Sequence, residues 1–265
     1  MKELNDFAVR LARDAGNLLK EKFTHKHEIY FKGDINLVTE ADKMSEDLII
    51  AGIKNKFPDD GILSEESPAQ NSQAKRRWII DPLDGTTNYA HGYPVFCVSI
   101  ALENEGVIIL GVIYDPMRDD IFTSVRGEGA FLNGNRLKVS STALLSRSLL
   151  ATGFPYDIRE SKDNNLDYFN LMAMEAQAIR RAGAAALDIA YLAAGRFDGF
   201  WELKLMPWDM AAGTLMVKES GGVVSDMFGG AWDIASPNVL VSNGLIHEQM
   251  INVFKKATKP LKSQI

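Results

Sequence analysis

The sequence predicts an α+β protein of two sheet-and-helix layers packed together. Three observations carry that expectation. Residues 5–56 place apolar side chains at helical spacing. The stretch from Trp78 to Leu132 reads as strands separated by turns. From about residue 140 onward, strands and helices alternate. At 265 residues the chain can bury a large core, and it reads as one domain of two intimate halves, approximately 1–140 and 141–265.

The first helix spans Asn5 to Phe23. Phe7, Leu11, Ala15, Leu18 and Leu19 form its apolar stripe, and Asn5 serves as its cap. A second helix starts after Thr39. Thr39-Glu40-Ala41-Asp42 has the form of a capping box with Asp in the fourth place. Its apolar face runs through Met44, Leu48 and Ile49, and it ends before Pro58. The period then changes. Gly61-Ile62-Leu63-Ser64 is a short strand entering the acidic pair Glu65-Glu66, and Trp78-Ile79-Ile80 is a buried strand. Val107 to Tyr114 is a strand ended by Asp115-Pro116, Ile121 to Ser124 is the next, and Asn133-Gly134 marks a hairpin turn. Leu149 to Thr152 reads as a strand. Helices cover Asp167 to Glu175 and Ala184 to Ala194, the second closing at Gly195. Phe197 to Leu203 is a strand, and Asp209 to Glu219 is a helix capped by Asp209 and ended by Gly221-Gly222. A strand at Val239 to Val241 and a helix from Ile246 to Phe254 complete the order.

Composition excludes several functions. Hydrophobic content of 46% and charge of 24% are ordinary for a soluble globular protein. A net charge of −6 leaves no electrostatic footprint for nucleic acid, and Lys75-Arg76-Arg77 and Arg180-Arg181 read as solvated faces. The single cysteine, Cys97, lies in an apolar strand-like run and reads as an inert buried thiol. The charged start, Met1-Lys2-Glu3-Leu4-Asn5-Asp6, lacks the apolar core of a signal peptide. No apolar run approaches the ~18 residues that span a bilayer. The expectation is a cytoplasmic protein with no membrane partner. His25, His27, His91 and His247 form no HExxH or triad arrangement, and no GxSxG, Walker A or GxGxxG motif occurs.

The chemistry lies in acidic residues held beside turns. Asp81-Pro82-Leu83-Asp84-Gly85-Thr86-Thr87-Asn88 follows the buried strand, so two carboxylates flank a turn that also offers hydroxyls and backbone N–H groups. Mg²⁺ is commonly held by carboxylates together with substrate phosphate oxygens, and turn amides suit a phosphate. An Asp-rich turn of purely backbone origin explains Asp84-Gly85, but not the Thr86-Thr87-Asn88 that follows. Glu65 and Asp81 end neighbouring strands, which brings their carboxylates together. Asp209 is open to two readings, an N-cap alone or a carboxylate facing a metal. Asp42 likewise either caps its helix or orients a water.

Asp81-Pro82-Leu83-Asp84-Gly85-Thr86-Thr87-Asn88-Tyr89 and Trp208-Asp209-Met210-Ala211-Ala212-Gly213 resemble the two signature motifs of the inositol monophosphatase family. Ser64-Glu65-Glu66-Ser67 is similar to its third acidic element, with Ser64 where the family often has Gly. Thr39-Glu40-Ala41-Asp42 resembles its N-terminal element. The likeness runs in the same order over nearly the whole chain.

The resemblance implies a layered αβαβα sandwich of the inositol monophosphatase / fructose-1,6-bisphosphatase type. It implies a Mg²⁺-dependent, lithium-sensitive phosphomonoesterase acting as a homodimer on a small phosphorylated polyol. Glu65, Asp81 and the Leu83 carbonyl would hold a first metal, and Asp81, Asp84 and Asp209 a second. Glu65 would reach a weaker third through water, which gives two or three Mg²⁺ per subunit. The Gly85 and Thr86 amides would cradle the phosphate. Thr86 and Asp42 would orient the attacking water. Gly183, Ala184 and Ala185 match the loop near the substrate ring, and Glu202 matches the residue that accepts hydrogen bonds from its hydroxyls. Related readings are a fructose-1,6-bisphosphatase or dual-activity phosphatase, a histidinol- or nucleotide-directed enzyme, or a regulatory partner of the transcription or RNA-processing machinery.

Overall fold

The computed structural model describes residues 1–23, 29–31 and 37–257, and for 29–31 and 37–39 the course of the chain only. His25 and His27 lie outside the described residues, as does the side chain of Thr39 on which the expected capping box depends. Helix α1 (Lys2–Lys22) begins earlier than its apolar stripe suggests. The Asn5 N–H donates to the Met1 carbonyl at 3.0 Å, so Asn5 closes the first turn and is not the cap. Glu3 in that turn suits the positive end of the helix dipole, and Leu4 packs against the core. Helix α2 (Glu40–Lys56) stops before Pro58 as expected.

Two short strands, β1 (Ile29–Phe31) and β2 (Leu37–Thr39), pair with each other. A seven-stranded sheet follows in sequence order: β3 (Gly61–Ser64), β4 (Arg76–Asp84), β5 (Cys97–Asn104), β6 (Val107–Asp115), β7 (Asp120–Val125), β8 (Gly129–Leu132) and β9 (Asn135–Arg136). Only the β3–β4 pair is parallel. A short helix, α3 (Thr86–Ala90), follows β4. The second sheet takes strands β10 (Leu149–Thr152), β11 (Ala178–Arg180), β12 (Gly199–Glu202), β13 (Val223–Ser225) and β14 (Val239–Ser242) in the order β11-β10-β12-β14-β13. Its helices are α4 (Leu166–Ala173), α5 (Ala185–Ala193), α6 (Pro207–Glu219) and α7 (His247–Ala257).

Strand alternation sorts these elements into five layers. On β4, Trp78 and Ile80 face the α1–α2 cluster with Phe7, Leu11 and Ile49, while Ile79 faces α5 and α6 through Leu187 and Met216. On β12, Phe200 faces the same two central helices, whereas Trp201 faces α4 and α7 with Met172 and Phe254. The order is therefore helix, sheet, helix, sheet, helix. Both sheets are covered on both sides, which is why the central strands read as unbroken apolar runs. Helix α6 sits between two sheets and needs small side chains to do so. A Cβ on Gly111 of β6 would meet the Ala212 backbone at 2.8 Å, so that strand and helix touch where bulk is absent. Among the described residues no helix is long and apolar enough to cross a membrane.

Candidate active site

The parallel register sets the first two acids side by side. Ser64 at the end of β3 lies opposite Ile80 of β4, so Glu65, just past β3, comes beside Asp81 within β4. The chain does not turn between Asp81 and Asp84, as the sequence suggested. β4 continues to Asp84 through an irregularity in its pairing with β5, and the Asp81 carboxylate accepts the Leu83 N–H at 3.0 Å. The bulge replaces a turn because Asp84 still finds a strand partner, Cys97. The turn comes at Gly85, whose φ of 97° is left-handed. Helix α3 then begins at Thr86.

Helix α2 braces this segment with one polar face. The Thr86 hydroxyl lies 2.9 Å from Asp42 Oδ1 and 3.1 Å from the Leu83 carbonyl, and it can donate to either. The Ser45 hydroxyl donates to the Pro82 carbonyl at 2.7 Å. Glu46 accepts the Glu66 N–H at 3.2 Å and the Ser67 hydroxyl at 2.5 Å. These spacings of three and four residues put Asp42, Ser45 and Glu46 on one side of the helix. All three are buried, so Asp42 does more than cap an exposed helix end.

Asp209 is not the cap of α6. The helix starts at Pro207, whose missing N–H is no loss in the first turn, and Met206 takes the cap position. Asp209 stands third, its Oδ2 accepting the Met206 N–H at 2.7 Å. The second half reaches the first through Asp84, which accepts the Ala185 and Ala186 N–H groups at 3.2 and 2.9 Å. The Asn88 amide donates to the carbonyls of Val95 at 2.7 Å and Ala182 at 2.8 Å. This seats the Gly183-Ala184-Ala185 loop beside the acidic residues.

A cavity of about 540 Å³ results. It is lined by Glu65, Asp81, Leu83, Asp84, Gly85, Thr86, Gly183, Ala184, Ala185, Glu202 and Asp209, every predicted site residue except Asp42. Asp42 has no exposed surface and is linked to the cavity lining by its hydrogen bond with Thr86. Sequence reasoning passed over Asp188, Arg181, Tyr156 and Lys204, which also line it. Asp188 carries one legible signal, as the only charge in the apolar run Ala184 to Ala194.

Burial and like charge dominate the electrostatics. Burial pushes the Asp81 carboxyl well above its usual range, and the charges of Glu65, Asp84 and Asp209 add to that. Burial raises Asp84 to about 6 against the opposing Ala186 N–H. Burial, then the Asp84 charge, raises Asp209 to about 7. Glu202 and Asp188 are also pushed up, first by burial. Such crowding is costly unless a cation joins it. The donors are all oxygens, the ligand type of hard divalent cations, so the residues fit Mg²⁺. Among the described residues no group of three or more His, Cys, Asp or Glu side chains is placed to hold a metal ion by itself. The donors line an open wall, so water and phosphate oxygens would have to supply the rest of a Mg²⁺ shell.

The remaining chemistry candidates are structural. Cys97 is buried and its thiol is pushed up by burial. Buried His247 lies between the Ser225 and Ser242 hydroxyls, 2.9 Å from each. Lys75, Arg76 and Arg77 pair with Glu105, Asp60 and Glu103, which leaves no basic patch there.

A five-layered sandwich with an acidic cavity between its halves is the architecture of a phosphatase fold, and comparison with known proteins agrees. The sequence profile of the inositol monophosphatase family matches residues 1–259, and the chain belongs to that family. It is 42% identical over 251 residues to an inositol-1-monophosphatase of Mesorhizobium japonicum, covering 94% of each chain. It is also 42% identical over 254 residues to Nus factor SuhB of Escherichia coli, covering 95% of each. The solved structure of inositol monophosphatase from Anabaena (Nostoc) sp. PCC 7120 superposes with a TM-score of 0.89 at 42% identity, covering 98% of both chains.

Proposed function

We propose that the chain is a Mg²⁺-dependent phosphatase that hydrolyses inositol-1-phosphate to myo-inositol and phosphate. It acts in the cytoplasm as a homodimer, each subunit one unit built from the halves 1–140 and 141–265. The observation that carries this reading is the convergence of Glu65, Asp81, Asp84 and Asp209 on one cavity wall from separate segments. Glu65, Asp81 and the Leu83 carbonyl would hold one cation, and Asp81, Asp84 and Asp209 a second, with Asp81 shared. A weaker third would lie near Glu65. Bound there, the cations would neutralise phosphoryl oxygens, acidify a water and stabilise the leaving oxygen.

The protein's own groups supply the rest. The Gly85 and Thr86 N–H groups donate to the phosphate. Thr86 donates its proton to Asp42, which leaves a lone pair to take the proton of the attacking water. Asp42 accepts the Thr86 proton from behind as Thr86 takes one from the water, in a place that bulk solvent does not reach. Glu202 and the loop of Gly183, Ala184 and Ala185 receive the alcohol half of the ester.

A phosphate-release panel tests the reading. Inositol-1-phosphate should be hydrolysed faster than fructose-1,6-bisphosphate, histidinol phosphate or adenosine 3′,5′-bisphosphate, and only with Mg²⁺. Preference for the bisphosphate would make this a fructose-1,6-bisphosphatase or dual-activity member. The relative named Nus factor SuhB favours a second reading, a regulatory partner of the transcription or RNA-processing machinery. A pull-down with Asp84→Asn separates the two, since a regulatory role would survive loss of the site.

A further inference from the structure

Asp188 is a carboxylate without a stated job. It lies on α5, is only 2% exposed, and that sliver opens into the cavity. Among the described residues it accepts no hydrogen bond and no cation lies within ion-pair distance, although Arg181 attracts it from farther off. Glu202 stands in the same condition. It is 8% exposed, lines the same cavity, and has no hydrogen-bond donor from the protein. Buried carboxylates elsewhere in this molecule are satisfied. Asp115 receives the Met117 and Arg118 N–H groups, the Arg118 guanidinium and the Tyr191 hydroxyl. Asp198 receives the Leu149 N–H and the Ser140 hydroxyl. Neither carboxylate is sealed from the cavity, so the donors to these two come from water or from a molecule bound there.

We propose that Asp188 is a second hydroxyl-accepting carboxylate that works with Glu202 to select polyhydroxylated leaving alcohols. The inference rests on the phosphatase reading above and deepens it to specificity. Several hydroxyls on one alcohol can serve both carboxylates. A one-hydroxyl or aromatic alcohol leaves them buried without donors, and that penalty is the basis of discrimination. Arg181 faces both acids and offsets their charge without forming an ion pair with either.

The test compares inositol-1-phosphate with p-nitrophenyl phosphate, whose leaving group has no such hydroxyls. Asp188→Ala should lower kcat/KM for the polyol ester at least tenfold more than for the aromatic ester, mainly through KM. Asp188→Asn, which keeps an acceptor oxygen, should recover part of that difference. Glycerol 2-phosphate, with two hydroxyls, should fall between the two substrates. Thermal unfolding of each variant reports folding separately. Equal losses on both esters, or an Asn variant no better than Ala, would overturn the role of Asp188 alone. Wild-type protein that cleaves p-nitrophenyl phosphate but no polyol ester would overturn the substrate reading and this inference with it.

Discussion

Replacing Asp84 by Asn should stabilise the metal-free protein at pH 8 and change it little at pH 4. The folded carboxyl titrates at about 6, against 3.8 for an ordinary one, because burial disfavours its charge. The folded state therefore holds this proton to higher pH than the unfolded chain does. Between those values it binds more protons, and stability falls as pH rises through the window. A displacement of about 2 pH units corresponds to about 3 kcal/mol, fully expressed above pH 7. The Ala185 N–H donates to Oδ1 and the Ala186 N–H to Oδ2, so asparagine keeps one of these acceptors and sets its NH2 against the other donor, a loss of about 1 kcal/mol that is the same at every pH and leaves the pH dependence to the charge. That charge also raises the neighbouring Asp81 and Asp209, so its removal relieves them too and adds to the gain. His247, pushed down by burial, gives the opposite slope below pH 6.5, but it is present in both proteins and cancels in the comparison. The assay is urea unfolding of both proteins in excess chelator from pH 4 to pH 8. Across that range the stability difference should move by about 3 kcal/mol in favour of the variant, and it should move back with saturating Mg²⁺ as expected of a cation held more tightly by the wild type. A difference that is flat with pH, or a variant that weakens as pH rises, would refute the account of a crowded acidic cavity relieved by cations.

Other outcomes follow from the same geometry. Asp81→Asn, at the shared position, should lower kcat by orders of magnitude while circular dichroism and melting remain near wild type; full activity in excess chelator would sink the two-metal reading. Asp42→Asn and Thr86→Ala should each lower kcat by about 10²–10⁴-fold with little change in KM, and together by clearly less than the product, as expected of two residues proposed to serve one water. Near-normal turnover in Asp42→Asn would reduce that residue to a part of the brace on α2. Glu202→Gln should cost ~1–3 kcal/mol in kcat/KM on inositol-1-phosphate and less on p-nitrophenyl phosphate, as read by paired kinetics.

The layers were legible where burial was symmetrical. Val107 to Asp115 lies in a sheet covered on both faces, so its apolar run is long and its ends are sharp. The three-residue edge strands at Ala178–Arg180 and Val223–Ser225 carry no such run, and tertiary pairing alone makes them strands. Glu65 and Asp81 could be foreseen as neighbours because parallel pairing follows from two strand ends. Asp209 was misplaced by three residues, because Met206 takes the cap, Pro207 opens the helix, and an acid is common both at the cap and in the first turn. Asp188 showed in the sequence only as a lone charge among apolar neighbours, with nothing there to place it on a cavity. Only the position of β12 and of the acidic wall makes it part of the cavity.

The contact between Asp84 and the start of α5 joins the site to the seam of the molecule. A carboxylate that would hold a cation also holds the second half in register, each of its two oxygens accepting one backbone N–H that no side-chain change at Ala185 or Ala186 can remove. A fragment ending near residue 140 would keep Glu65, Asp81 and Asp84 but lose Asp209 and both of those donors. Catalytic competence thus becomes a test of assembly: the acids complete their set only when the two halves are seated on each other.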